Sequence, residues 1–275
     1  MIDLHIHSDL SDGTNSIDSL VSLASQQAIR ELALTDHDTI RGLPEMTRSA
    51  KDQGINVIPG IELTSKYHEH ILHILGYMID PENSQLTGFL EIANQHTTQF
   101  TLDLITQLNQ QGLVNYPSSK VEPFLNTKDS LYPSDLIKAM IQDGHPYHLE
   151  DWPAFYMATF HHLSSSFQFP LSAVDAIQVI LAAGGVPVIA HPAKIGKDHL
   201  AIIEKLVPSG LLGIEVFYPY HDQKLIDAYL SLTNRYQLLA TGGTDWHGQF
   251  TTWNAVMGQY GVQSTQPLYS VAKSL

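Results

Sequence analysis

Residues 1–13 read M-I-D-L-H-I-H-S-D-L-S-D-G. Ile2, Leu4 and Ile6 alternate with Asp3, His5 and His7, which is the two-residue period of a strand. Residues two apart on a strand point to the same side, so His5 and His7 can converge on one point. Asp12 follows five residues further on. Two neutral imidazoles on one side suit a divalent transition metal. Two surface histidines on a strand are the plain alternative for this stretch taken alone.

The next segments repeat a rhythm of strand and helix. Ser16 is placed to cap a helix carrying Ile17, Leu20, Val21 and Ala24 at helical spacing. Leu32, Ala33 and Leu34 form a short strand that runs into T-D-H-D, residues 35–38. A helix over 42–53 stops at Gly54. Val57 and Ile58 open a strand that ends P-G-I-E-L-T with Glu62, and His73 stands between Leu72 and Ile74 in a further segment, 71–77. Apolar strands alternating with helices imply a parallel α/β domain, whose chemistry gathers at the C-terminal ends of the strands.

The rhythm breaks near Asp80. Phe89, Leu90, Phe100, Leu104, Ile105 and Leu108 predict one or two helices within 86–113, and another helix spans 134–142 before Gly144. Loops rich in Pro, Ser and aromatic residues surround them, so 80–172 reads as an inserted, mostly helical subdomain. The remainder, 1–79 and 173–275, forms the catalytic unit. From Ala173 the α/β pattern resumes. A helix ends at Gly184-Gly185, and the strand V-P-V-I-A runs into His191-Pro192. A helix over 198–206 precedes the strand G-I-E-V-F at Gly213–Phe217. A helix over 221–236 precedes the strand 238–241, which ends in G-G-T-D-W-H-G with Asp245 and His247.

Bulk composition narrows the chemistry. The chain of 275 residues has no cysteine, so thiolate metal sites, disulfides and cysteine nucleophiles are excluded, and a metal must be held by imidazole and carboxylate. Its formal net charge of −14 and lack of a basic stripe argue against duplex DNA as a partner. No run of about 18 apolar residues marks a membrane span, and no basic-then-apolar leader is visible, so a cytoplasmic location is expected. Nothing points to an obligate protein partner.

His5, His7, Asp12, His37, Glu62, His73, His191, Asp245 and His247 thus stand on strands or at their ends. They are too many for one ion of four to six ligands, and suit two or three ions that share bridging carboxylates. The pieces L-H-I-H-S-D-L-S-D-G, T-D-H-D-T-I-R-G, P-G-I-E-L-T, H-I-L-G-Y, G-G-V-P-V-I-A-H-P, G-I-E-V-F-Y and T-G-G-T-D-W-H-G occur in an order that resembles the polymerase and histidinol phosphatase (PHP) superfamily. The chain looks most like the branch with an inserted helical domain, which includes nucleoside 3′,5′-bisphosphate phosphatases and a 5′-to-3′ exoribonuclease.

That resemblance implies a distorted seven-stranded (β/α) barrel and three divalent ions, manganese, iron or zinc. One ion would be held by His5, His7, Glu62 and Asp245. Glu62 would bridge to a second, held with His73 and His191, and the third would take Asp12, His37 and His247. The implied activity is hydrolysis of a phosphate ester, of a small nucleotide or a short RNA 5′ end, by hydroxide that the ions generate. Glu62 as the bridge and Asp38 beside His37 are the candidate catalytic residues. Asp36 and Asp38 either orient His37 or are solvated loop acids. Relatives in this branch carry arginines in the insert and after the His-Pro pair, whereas here Lys194 follows Ala193. Lys194 is the candidate substrate contact, as a point charge on phosphate, with a solvated lysine as the alternative. His161 and His162 either meet phosphate or are a loop pair without a role, and the latter reading is preferred. Trp246, Tyr218 and Tyr220 are read as packing. The missing arginines keep open a phosphatase for another small monoester, and a metal-loaded module without catalysis is the contrasting possibility.

Overall fold

The alternating segments assemble into one mixed sheet of seven strands, described by the computed structural model for residues 1–159, 169–251 and 255–275. The strands are β1 (Ile2–Ile6), β2 (Glu31–Leu34), β3 (Asn56–Tyr67), β4 (His70–Tyr77), β5 (Val186–Ile189), β6 (Gly213–Phe217) and β7 (Leu239–Gly242), and they lie side by side in chain order. The sheet curls into a half barrel. A single bridge from Ile6 to Trp246, with His7 N donating to Trp246 O at 2.8 Å, links the chain beyond β7 to the end of β1.

The sheet is not wholly parallel, which corrects the sequence reading. β1, β2 and β3 are parallel, and so are β5, β6 and β7, but β4 is antiparallel to both of its neighbours. The segment around His73 is therefore the return arm of a hairpin. Its loop is only His68 and Glu69, with His68 in the left-handed region at φ 53°. The local sequence Y-H-E-H holds none of the Gly, Asn or Asp residues that usually announce such a turn. β3 also does not end at Glu62 but runs five residues beyond it. An antiparallel β4 starts where β3 finishes, so His73, near the start of its strand, still lies at the edge where the parallel strands end.

Helices cover the outer face. α1 (Ile17–Gln26) buries Ile17, Leu20, Val21 and Ala24, and the Ser16 side chain caps it by accepting from Ser19 N at 3.3 Å. Such a cap contributes about 1 kcal/mol. α2 (Leu43–Asp52) buries Leu43, Met46 and Ala50 in the same cluster. Of the one or two helices expected, the chain forms a single long one, α3 (Ser84–Gln110). Its first half places Leu86, Phe89 and Leu90 in the main core. Its second half places Leu104, Ile105 and Leu108 in a separate cluster with α4 (Pro133–Gln142) and α5 (Trp152–Thr159). Phe250, from beyond β7, also enters that second cluster. α6 (Ala173–Ala182), α7 (His199–Leu206) and α8 (Gln223–Tyr236) complete the cover, and α9 (Gln266–Ala272) seats Leu268 against an apolar layer that includes Leu4, Leu75, Tyr77 and Val188.

The β3–β4 register pairs Glu62 with Leu75, Thr64 with His73 and Gly60 with Tyr77. Directly opposed residues share a face, so Glu62 and His73 stand on the same side as Leu75 and Tyr77. Polar ligands thus rise from an apolar floor, where Tyr77 OH is satisfied by Leu4 O at 2.9 Å. At the other side of the sheet, Gly243 passes so close to β1 that an added Cβ would lie 2.5 Å from His5 Cβ and 2.6 Å from His5 N. Gly243→Ala must displace one backbone or the other. The expected loss is about 1–3 kcal/mol, read as a lower urea midpoint at unchanged m value.

Candidate metal centre

All nine candidate ligands converge. β1 aims the Nε2 atoms of His5 and His7 at Glu62 Oε2, 3.0 and 3.1 Å away, and at Asp245 Oδ1, 3.3 and 3.2 Å away. The other oxygen of Glu62, Oε1, faces His73 Nδ1 at 3.0 Å and His191 Nε2 at 2.9 Å. Asp12 lies 3.2 Å from His247 Nε2, 3.8 Å from His7 Nδ1 and 4.0 Å from His37 Nε2. Ligand atoms lie within 4.8 Å of one another in three overlapping groups: His5, His7, Glu62 and Asp245; His7, Asp12, His37 and His247; and His37, Glu62 and His73. His5 and Glu62 are fully buried, whereas the side chains of Asp12 and His73 are 26% and 25% exposed, so the centre opens on that side.

The donor set fits divalent ions. His7 Nδ1 and Nε2, His37 Nδ1 and His191 Nδ1 are buried and have no hydrogen-bond partner among the described residues. Leaving such an atom unsatisfied costs about 1–3 kcal/mol. Imidazole nitrogens and carboxylate oxygens packed this closely are the donors that first-row divalent ions take. Electrostatics agree. Burial pushes His37 and His191 down to about 3, which keeps them as the neutral imidazoles that ligate. Burial works against charge on Glu62 too, yet the histidines packed around it hold its carboxyl well below the usual range. For His7, burial is overcome by the Asp245 and Glu62 carboxylates, which raise it to about 10. The carboxylates demand a positive charge at that point, and a divalent ion meets the same demand.

Buried acids that the sequence reading passed over hold the ligands in place. Glu215, on β6, accepts from His5 Nδ1 at 2.9 Å and from His191 N at 2.7 Å. A carboxylate behind a ligating histidine fixes its tautomer and raises its basicity. The visible signal was a charge in the apolar run G-I-E-V-F. Asp3 accepts from Thr244 N, Thr244 Oγ1 and Gly258 N at 3.0, 2.6 and 2.7 Å, tying β1 to the chain beside Asp245.

Several expected contacts resolve differently. Asp36 accepts from Ser8 N, Ser8 Oγ and Ser11 Oγ, at 2.7, 2.6 and 2.5 Å, so it braces the loop of Asp12 instead of His37. Asp38 is buried, not solvated; its Oδ1 accepts from Thr64 N at 2.9 Å, while Oδ2 is buried with no partner among the described residues. Burial pushes its carboxyl up to about 6. Backbone bonds from Asp38 N to Glu62 O and from Glu62 N to Asp36 O lock His37 beside Glu62. Lys194 is not a plain solvated lysine: its Nζ lies 2.8 Å from Asp245 Oδ2, with the side chain 45% exposed. Tyr218 does more than pack, since its OH donates to the same oxygen at 2.9 Å. Trp246 packs against the core and donates to Asn15 Oδ1 at 3.1 Å, and Tyr220 is exposed. His161 and His162 lie outside the described residues. Asp38, His191 and Asp245 all adopt positive φ (51°, 26° and 53°), and such backbone strain tends to collect at functional sites. A cavity of about 260 Å³ adjoins Asp12, His37 and His73 and is walled by Phe100, Tyr132 and Trp152.

The chain is similar to known proteins along most of its length. The family model described as PHP domain matches residues 3–147. A phosphoribosyl 1,2-cyclic phosphate 1,2-diphosphodiesterase from Eggerthella lenta is 29% identical over 256 residues, covering 90% of this chain and 94% of that protein. A 3′,5′-nucleoside bisphosphate phosphatase from Chromobacterium violaceum is 27% identical, with 90% of this chain and 87% of that protein covered. A 5′-3′ exoribonuclease from Haemophilus influenzae is 30% identical, over 70% and 69% of the two chains. A crystal structure from Bifidobacterium adolescentis, put forward as a metal-dependent phosphoesterase, shares the fold with a TM-score of 0.85 at 23% identity, covering 98% of this chain and 95% of that one. No helix among the described residues is long and apolar enough to cross a membrane. The chain belongs to the PHP domain family of metal-dependent phosphoesterases.

Proposed function

We propose that this enzyme hydrolyses a phosphate ester of a small nucleotide, a nucleoside 3′,5′-bisphosphate or the 5′ end of a short RNA, with three divalent ions of manganese, iron or zinc. The convergence of six imidazoles and three carboxylates on and around the buried Glu62 carries the reading. His5, His7, Glu62 and Asp245 would hold one ion, Glu62, His73 and His191 a second, and Asp12, His37 and His247 a third. Ions held there would supply an activated water and neutralise phosphoryl oxygens. We further propose that 1–79 and 173–275 form a distorted barrel, that 80–172 is an inserted helical subdomain, and that the enzyme works in the cytoplasm.

The chain's own residues have distinct parts in this reading. Glu62, whose two oxygens face different histidines, would hold two ions together. Asp38 holds the His37 loop against β3 through Thr64 N. Lys194, half exposed beside Asp245, carries a positive charge to the rim and meets a phosphoryl oxygen there. The aromatic walls of the 260 Å³ cavity suit a flat base next to Asp12, His37 and His73. A different small monoester is the second reading, favoured by the lack of any arginine among the described residues lining that cavity.

Phosphate release by the manganese-reconstituted protein tests the proposal, with adenosine 3′,5′-bisphosphate, 5′-phosphorylated RNA and an aryl phosphate side by side. Release from the bisphosphate, or stepwise shortening of the RNA, is the expected result. Hydrolysis of the aryl ester alone selects the second reading, and inactivity toward all three with metal bound overturns both. Chelation is expected to abolish release and to lower the melting temperature, since each ion held at a hundred times its dissociation constant contributes about 2.7 kcal/mol. Glu215→Gln keeps the shape of the side chain behind His5 but weakens its hold. Calorimetric titration should show manganese bound about 10–100-fold more weakly, with the circular dichroism spectrum unchanged.

A further inference from the structure

The ligand positions divide according to what holds them. His5, Glu62 and His73 lie on strands, and His7, His191 and Asp245 follow closely after β1, β5 and β7. Their supports, Glu215 and Asp3, also belong to the sheet. Asp12 and His247 instead sit on loops beyond the strand ends, and His37, three residues after β2, is bridged to Glu62 on one side and open to the segment between β4 and β5 on the other. Each of those loops is gripped by residues from between β4 and β5.

The Asp12 loop receives two ammonium groups, that of Lys128 buried and that of Lys138 partly buried. Lys128 Nζ donates to Ser11 O at 2.6 Å, and Lys138 Nζ donates to Gly13 O at 2.9 Å and Asp12 O at 3.4 Å. Three successive carbonyls of the loop are thus held from one side. Asp135 compensates both charges, 2.6 Å from Lys128 and 3.4 Å from Lys138. Asp36 holds the base of the same loop from the sheet, so the two lysines govern its tip. The His37 loop is held by Tyr132 OH, which donates to His37 O, and by Asp129, which accepts from Thr39 Oγ1 and Arg41. The His247 loop is held by Phe250, which packs in the second apolar cluster against Trp152, with Lys138 Nζ 5.4 Å above its ring. Charge-assisted bonds in a buried setting are strong and directional, and a metal position is only as good as the placement of its ligands. The gap of 4.0 Å between Asp12 and His37 exceeds the 2.9–3.4 Å separations around Glu62 and between Asp245 and the histidines His5 and His7.

We infer that Lys128, Lys138 and Tyr132 are positioning residues for a separate metal position at Asp12, His37 and His247, so that the segment 128–138 sets the affinity of that ion while the sheet sets the other two. This rests on the three-ion reading above. The test counts manganese ions retained per chain after gel filtration and measures the weakest dissociation constant by calorimetry, for the wild type, Lys138→Met, Lys138→Arg and Tyr132→Phe. The wild type is expected to hold three ions. Lys138→Met should keep two and bind the third at least about tenfold more weakly, and Lys138→Arg should restore most of that loss. Tyr132→Phe, which removes one hydroxyl, should weaken the same ion by a smaller factor and decides the matter if Lys138→Met does not fold. Three ions at wild-type affinity in Tyr132→Phe and in any folded Lys138→Met, or equal weakening of all three ions, overturns the inference. Fewer than three ions in the wild type overturns the three-ion reading itself.

Discussion

Glu62 is fully buried, and its two oxygens lie within 3.4 Å of five imidazole nitrogens, those of His5, His7, His37, His73 and His191. A carboxylate removed from water in this way is tolerable only where positive charge or ligation compensates it. The rest of the fold is arranged to meet that condition. β3 runs past Glu62 so that the carboxylate sits in the middle of a hydrogen-bonded strand, with no freedom to turn toward solvent. β1 and the residue just after its end deliver two histidines, His5 and His7, to one oxygen. The hairpin partner β4 and the end of β5 deliver one each to the other.

The polar centre is costly, and the layers around it offset that cost. Below it, Leu75, Tyr77 and Val188 form a dry floor. Outside, α1, α2 and α6 bury apolar faces against the sheet. Glu215 and Asp3 are themselves raised by burial; Glu215 is bonded to the ligand residues His5 and His191, and Asp3 to Thr244, next to Asp245, and to Gly258. Buried polar groups of this kind specify one arrangement, because any shift of register would leave several of them unpaired at once.

Much of the centre was legible because its residues are of unusual chemistry at regular places. His5 and His7 on a period-two strand, Asp12 before a glycine, and His191 and Asp245 just after apolar strands can be read one segment at a time. So could Ser16 as a cap and Gly54, at φ 67°, as a stop. The antiparallel course of β4 was hidden because its turn uses His68 and Glu69, held by the pairing of the two arms and not by turn chemistry. Asp36 was visible, but whether it served His37 or the loop of Asp12 depends on where Ser8 and Ser11 come to lie. Tyr218 looked like packing because the acid that accepts from its hydroxyl is 27 residues away.

The sequence by itself determined the kind of chemistry: no thiolate, many imidazoles and carboxylates, and their placement on or beside strands of an α/β chain. Those properties follow from composition and from local periodicity, which need no knowledge of distant contacts. Only the tertiary structure decided which acids ligate and which stand behind the ligands. Glu215 reaches His5 across 210 residues, Lys138 reaches Gly13 across 125, and neither pairing has any local signature. A side chain's burial, partner and charge state are set by what packs against it, and for these residues that is chosen by the curl of the sheet and the seat of α4.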